Sequence, residues 1–143
     1  MKRGRIIISL LVFSFFLIGC NTTTPEVAEE TATNNEEQAS GNTITIAADG
    51  FSPKTLSVKA GTTVTFVNED ANEHWPASAM HPTHTIYPDS DIKKCGTAQE
   101  KEAFDSCRGL LPGNKYSFTF NEKGSWKYHD HLNVKSTGTI VVE

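Results

Sequence analysis

The stretch GSWKYHDH at positions 124–131, followed by GTIVV at positions 138–142, decides the fold prediction. Trp126 and Tyr128 are spaced by two residues, and a lysine separates them, which is typical of a half-buried strand. The strand pattern then breaks into a loop at His129 and His131. Histidines at i and i+2 of a strand lie on one face, within reach of a single metal ion. The segment therefore predicts a β-rich domain with a metal site near its last strands.

The same spacing by two recurs along the preceding chain, in Ile44 with Ile46, Leu56 with Val58, Val64 with Phe66, and Tyr116 with Phe118 and Phe120. Turn signals separate these segments, at Asp49-Gly50, Ala60-Gly61, Pro112-Gly113-Asn114 and Lys123-Gly124. Together they predict an all-β fold, a small antiparallel β-sandwich or barrel with Greek-key connections. The pattern predicts a single helix, a short one between Ala98 and Arg108.

The N-terminus has the pattern of an export signal. Three basic residues precede an apolar run at positions 6–18, which ends in Leu17-Ile18-Gly19-Cys20. That ending resembles the lipobox of bacterial lipoproteins, which implies a signal peptide at 1–19 and a lipidated Cys20. The alternative is an uncleaved membrane anchor, but about 20 apolar residues are needed to span a bilayer. We expect an exported protein held at a membrane of the bacterial cell envelope through its lipid.

Residues 20–42 are predicted to form an acidic, disordered tether, because they carry five glutamates and no aromatic residue. Residues 43–143 then form one small domain. The whole chain of 143 residues has a formal net charge of −4 and no basic stripe, so we expect no nucleic-acid partner.

The order and spacing of the predicted strands resemble the cupredoxins, the plastocyanin and azurin family. Residues 44–53 and 56–68, followed by His74, resemble the first half of that fold, and residues 113–142 resemble its second half. The resemblance implies a cupredoxin-like sandwich in which His74 stands at the position of a copper ligand.

The chain departs from that family in the loop before the last strand, where a blue copper site requires a cysteine. Positions 129–136 read HDHLNVKS, with neither Cys nor Met, and the cysteine position falls near His129 or Asp130. The run at 124–131 instead resembles the Gly-Thr-x-x-Tyr-His-Ser-His run of multicopper oxidase first domains, whose histidines bind non-blue copper. The pair His74-Trp75 resembles the opening of a second oxidase motif. These resemblances imply a non-blue copper site.

All five histidines lie between positions 74 and 131, and imidazole nitrogens suit copper, with zinc as the second choice. We predict His74, His129 and His131 as the core ligands, with His84 and then His81 as additions or alternatives. Asp130 and Glu73 are predicted to orient an imidazole by accepting its other N–H.

Strict alternation raises an objection to an internal site, since it points Asp130 toward the core and sends His129 and His131 to the opposite face. A bulge or a loop start would restore an internal site. Otherwise the metal would lie at a subunit interface, as in the related copper nitrite reductases and oxidases, and the protein would be a homo-oligomer.

Cys95 and Cys107 lie in an insertion between Pro88 and Pro112 that a minimal cupredoxin lacks. In an exported protein, two cysteines that bracket a loop indicate a disulfide, and we favour this over a thiolate metal ligand. The disulfide would hold this polar loop close to the histidines.

We predict an envelope-anchored copper-binding protein, and the resemblance implies redox or electron transfer with a protein partner. The rival is copper handling, in which the histidines capture copper and deliver it to a copper-exchange partner. A third reading is a metal-free interaction module. No nucleophile elbow or phosphate loop is present, so any enzyme here would be a copper-dependent oxidoreductase.

Overall fold

The computed structural model describes residues 41–143. Eight strands make up the domain: β1 (Thr43–Ala47), β2 (Gly50–Ser52), β3 (Thr55–Val58), β4 (Thr62–Asn68), β5 (Pro76–Ser78), β6 (Lys115–Phe120), β7 (Gly124–Asp130) and β8 (Asn133–Val142). The only helices in this part of the chain are two 3-10 turns, Ile92–Lys94 and Glu100–Glu102. The all-β prediction from the alternating pattern is confirmed.

The strands form two four-stranded sheets, in the orders β2-β1-β4-β6 and β3-β8-β7-β5. The chain changes sheet between β2 and β3 and returns at β4, which lies beside β1. That crossing makes the β1–β4 and β3–β8 pairs parallel, whereas the remaining pairs are antiparallel as expected. The result is the cupredoxin-like sandwich that the sequence predicts.

The core lies between the two sheets, and the alternating residues of the strands fill it. Ile44, Val64 and Ile140 are fully buried. An aromatic cluster completes the interior, in which the ring of Phe66 lies 5.3 Å from Tyr128 and 5.8 Å from Phe104. Phe104 belongs to no strand, so the connection between β5 and β6 also contributes to the core.

The β5–β6 connection, residues 79–114, packs along the open edge of β5. The backbone N–H of Ser78 donates to Phe104, and that of Ser106 donates to Pro76. The expected helix between Ala98 and Arg108 is wrong, because only one 3-10 turn forms there. Burial of the Phe104 side chain and pairing with the sheet edge hold the chain extended after that turn.

The predicted Cys95–Cys107 disulfide is present, with the two Cα atoms 5.2 Å apart. Within the described part of the chain, no helix has the length and apolar character needed to cross a membrane. The predicted signal segment, Cys20 and nearly all of the tether lie outside the described residues.

Candidate metal centre

Four of the five predicted ligands meet beside the end of β7. His81, His84, His129 and His131, the four-histidine cluster, each offer one ring nitrogen, and these nitrogens lie within 4.8 Å of one another. Nε2 of His84 and Nδ1 of His131 are hydrogen-bonded to each other at 2.9 Å. Donors at this spacing can reach a common ion.

The strand half of the cluster comes from the end of β7. His129 is the cross-strand neighbour of Ala77 in β5 and of Thr137 in β8, and the register shifts directly after it. The backbone N–H of His131 donates to the carbonyl of Trp75, at 2.7 Å. These backbone bonds fix the positions of both residues relative to the sheet.

The loop half comes from the start of the β5–β6 connection. The backbone N–H groups of Thr83 and His84 both donate to the carbonyl of Met80, at 2.8 and 2.7 Å, and close a tight turn. His84 has a φ of +58°, a conformation that costs a non-glycine residue energy and that its surroundings must hold in place. Its side chain is fully buried, whereas His81 is exposed. The cluster is therefore open to solvent at His81.

The alternation that argued against an internal site is present, but it does not exclude the site. Tyr128 packs in the core and Asp130 bonds to His74, whereas His129 contacts the loop histidines. Tyr128, His129 and Asp130 are nevertheless all buried. The β5–β6 connection covers the face of β7 that turns away from the core, and the cluster lies beneath it.

His74 lies outside the cluster. Its Nδ1 is 2.8 Å from Oδ2 of Asp130, and its Nε2 is 2.9 Å from Oδ2 of Asp70. Burial alone would lower the pKa of His74, but the hydrogen bonds to Asp130 and Asp70 outweigh it and raise the pKa above its usual value. Both ring nitrogens are thus engaged by carboxylates.

The two predicted orienting carboxylates differ in their surroundings. Asp130 accepts from His74 and from the backbone N–H groups of Trp75 and Leu132, and within residues 41–143 none of its hydrogen bonds goes to the ring of a clustered histidine. The Glu73 side chain lies against the backbone of Gly109, and it bonds to no histidine among the described residues.

Asp105 is the carboxylate that contacts the cluster, and the sequence reasoning missed it. Its Oδ2 lies 2.5 Å from Nδ1 of His84, and its Oδ1 accepts from Nε1 of Trp75 at 2.5 Å and from the backbone N–H of Cys107 at 2.7 Å. The Trp75 ring in turn packs on His131, with centroids 4.6 Å apart. The only sequence signal was an aspartate two residues before a disulfide cysteine, a common turn arrangement.

The electrostatics of the cluster favour neutral imidazoles. Burial, together with the proximity of His84, His81 and His131, lowers the pKa of His129 to about 4. The pKa of His131 is lowered by the same causes. A neutral imidazole carries a free lone pair, which is the form that binds a metal ion.

The hydrogen bonding of His129 also fits a metal. Both of its ring nitrogens are buried, and neither has a hydrogen-bond partner within residues 41–143. An unsatisfied buried polar group costs about 1–3 kcal/mol, so such nitrogens call for a ligand. Because the disulfide removes Cys95 and Cys107 as thiolates, the available donors are imidazole nitrogens, which suit copper or zinc.

Comparisons with known proteins agree with this fold. The family described as "Copper binding proteins, plastocyanin/azurin family" matches residues 38–143. A plastocyanin from Scenedesmus fuscus is 27% identical over 107 residues, which cover 71% of this chain and 98% of the plastocyanin.

Two solved structures are similar at 25% identity over 71% of this chain. A novel purple cupredoxin from Nitrosopumilus maritimus is covered over 98% of its length with a TM-score of 0.54, and a methionine-to-alanine mutant of amicyanin in the Cu(I) state is covered over 80% with a TM-score of 0.55. With the family matched over most of its length, the chain belongs to the plastocyanin/azurin family of copper-binding proteins.

Proposed function

We propose that this protein holds one copper ion in the four-histidine cluster and serves as an envelope-anchored redox carrier. The observation that carries the proposal is His129, a buried imidazole whose two nitrogens lack partners in the described domain, surrounded by three more histidines. Membership of the copper-binding family and the Cu(I) amicyanin relative support copper over zinc.

Bound copper supplies a one-electron couple between its two oxidation states, and imidazole ligands can hold both states. His129 and His84 bring buried nitrogens, and the lowered pKa of His129 keeps its lone pair free at neutral pH. His81 lies at the exposed edge, where a redox partner would approach. Because one chain supplies all four imidazoles, the site requires no second copy.

The family position is a poor alternative for the metal. His74 stands at that position, but Asp70 and Asp130 occupy both of its nitrogens. A metal bound through either ring nitrogen of His74 would have to displace the carboxylate at that nitrogen, Asp130 at Nδ1 or Asp70 at Nε2. Metal binding at His129 displaces no hydrogen bond, because neither of its ring nitrogens has a partner in the described domain.

The test compares two histidine variants of the full chain in detergent, loaded with Cu(II) and freed of excess metal. We expect one copper per chain in the wild type, a non-blue EPR spectrum with wide hyperfine splitting, and loss of the copper in His129→Ala. His74→Ala is the matched control, since it removes the one histidine outside the cluster, and it should retain copper. Loss of copper in His74→Ala with the fold intact would instead place the metal at the family position. If the wild type retained no copper, the copper proposal would fail, and the metal-free interaction module would be the remaining function.

Copper handling is the second candidate, and the exposure of His81 favours it. A ligand at the surface of a loop can exchange between the protein and a partner more readily than a buried one. Reversible reduction without metal loss would support electron transfer, whereas rapid transfer of copper to a chelator would support handling.

Membrane anchoring through Cys20 remains part of the proposal and rests on the lipobox resemblance of residues 17–20. Cells that express the chain should incorporate an alkynyl fatty acid into the wild type but not into Cys20→Ala. Equal labelling of both proteins would contradict the lipid anchor.

A further inference from the structure

Asp105 is a buried carboxylate on which three N–H groups converge. Its side chain is fully buried, and it accepts from the ring of His84, the ring of Trp75 and the backbone of Cys107. A buried carboxylate is tolerated only when its oxygens are satisfied in this way. Asp105 is carried by the β5–β6 connection.

The contact with His84 decides which nitrogen of that ring can bind metal. Because an ionised carboxylate only accepts, Nδ1 of His84 carries the proton and Nε2 keeps the lone pair. Nε2 is the atom that faces the cluster, 2.9 Å from Nδ1 of His131. Asp105 therefore selects the tautomer of His84 in which the nitrogen inside the cluster carries no proton and can accept from His131 or bind a metal.

The contact with Trp75 extends the same influence to a second ligand. Asp105 and the backbone pairing of this segment fix the indole, and the indole packs on the ring of His131 at 4.6 Å and an interplanar angle of 36°. One carboxylate thus bears on His84 directly and on His131 through Trp75.

We propose that Asp105 is the positioning residue of the copper site, which fixes Nε2 of His84 as a ligand atom and steadies His131 through Trp75. The inference rests on the proposed function, since it needs copper in the four-histidine cluster. Loss of a carboxylate that orients a ligating histidine typically costs 10–100-fold in metal affinity.

The experiment is a double-mutant cycle on the full chain, with Cu(II) affinity measured by competition with a chelator. Asp105→Asn should weaken binding by about 10–100-fold. In a His84→Ala background the same change should have a much smaller effect, because its main route to the metal is gone. Equal effects in the two backgrounds would show that Asp105 acts only on the general structure and would overturn the inference. Glu102→Gln is the control, an exposed carboxylate on the same connection that pairs with Lys94, and it should leave the affinity unchanged.

A second readout needs no copper. Long-range proton–nitrogen NMR of the metal-free wild type should show the His84 proton on Nδ1, and Asp105→Asn should populate the Nε2-protonated form. The reason is that the side-chain amide of asparagine has only one acceptor oxygen, for which the ring N–H groups of His84 and Trp75 would compete. An unchanged tautomer would overturn the inference.

Folding of each variant is checked by near-ultraviolet circular dichroism. If Asp105→Asn does not fold, Trp75→Phe keeps a ring on His131 but removes one donor to Asp105, and a weaker, spectroscopically altered copper site is expected. Wild-type affinity and EPR parameters in that variant would overturn the inference. Failure of the wild type to bind copper would refute the proposed function itself, which separates the two outcomes.

Discussion

Removal of the Cys95–Cys107 disulfide should both destabilise the domain and weaken the candidate metal site. The two cysteines are 12 residues apart, and the closed loop includes Phe104 and Asp105. Phe104 fills the core and Asp105 contacts His84, so the loop connects the interior to the cluster.

The magnitude follows from loop closure. Freeing a loop of this length in the unfolded chain is worth about 3 kcal/mol. In a domain of roughly 100 residues, each kcal/mol shifts the melting temperature by about 4–8 °C, so the metal-free double variant Cys95→Ser/Cys107→Ser should melt about 12–24 °C below the wild type. Because the Cys107 N–H also donates to Asp105, the variant should bind copper more weakly as well.

The assay is thermal unfolding of the metal-free full chain by far-ultraviolet circular dichroism. Glu102→Gln serves as the control, since it breaks only an exposed ion pair in the same loop and such pairs are worth about 0–1 kcal/mol. A melting temperature of the double serine variant equal to that of the control would refute the reasoning. It would mean that burial of Phe104 and backbone pairing with the edge of β5 order the loop without the disulfide.

Three further outcomes are expected. Phe104→Ala should lose about 3–5 kcal/mol of unfolding free energy in a urea titration, because it empties a fully buried aromatic position; a loss below about 1 kcal/mol would contradict the packing. Gly138→Ala should lose about 1–3 kcal/mol, since a Cβ there would lie 2.3 Å from the buried Tyr128 hydroxyl oxygen, and wild-type stability would show that this ring can move. The pKa of His129 is lowered to about 4 in the folded domain, whereas an unfolded histidine has a pKa of about 6.5. Between these pH values the unfolded chain binds a proton that the folded domain does not bind, so metal-free stability should fall as pH drops from about 6.5 toward about 4. His129→Ala should flatten that dependence, and an equal slope in both proteins would contradict it.

The fold was largely predictable because the strands obey simple alternation. Ile44, Val64 and Ile140 each lie in a two-residue pattern, and each is buried where that pattern predicts. The β5–β6 connection was not predictable in the same way. Its one helix-like stretch contains Phe104, and burial of that ring in a core built by distant strands overrides the local propensity.

The candidate site was predictable in its residue types and only partly in its grouping. Histidines at 129 and 131 could be proposed as ligands from their spacing alone. The separation of His74 from the other four could not, because it depends on Asp70 and Asp130, which reach His74 only in the folded chain. Asp105 likewise acquires its role through contacts with His84 and Trp75, which are 21 and 30 residues away.

Anomalous diffraction at the copper absorption edge, from crystals of the copper-loaded protein, would locate the metal ion directly. We expect a single copper peak among the ring nitrogens of His81, His84, His129 and His131. A peak beside His74 and Asp130 would contradict it and return the metal to the position of the family's ligand.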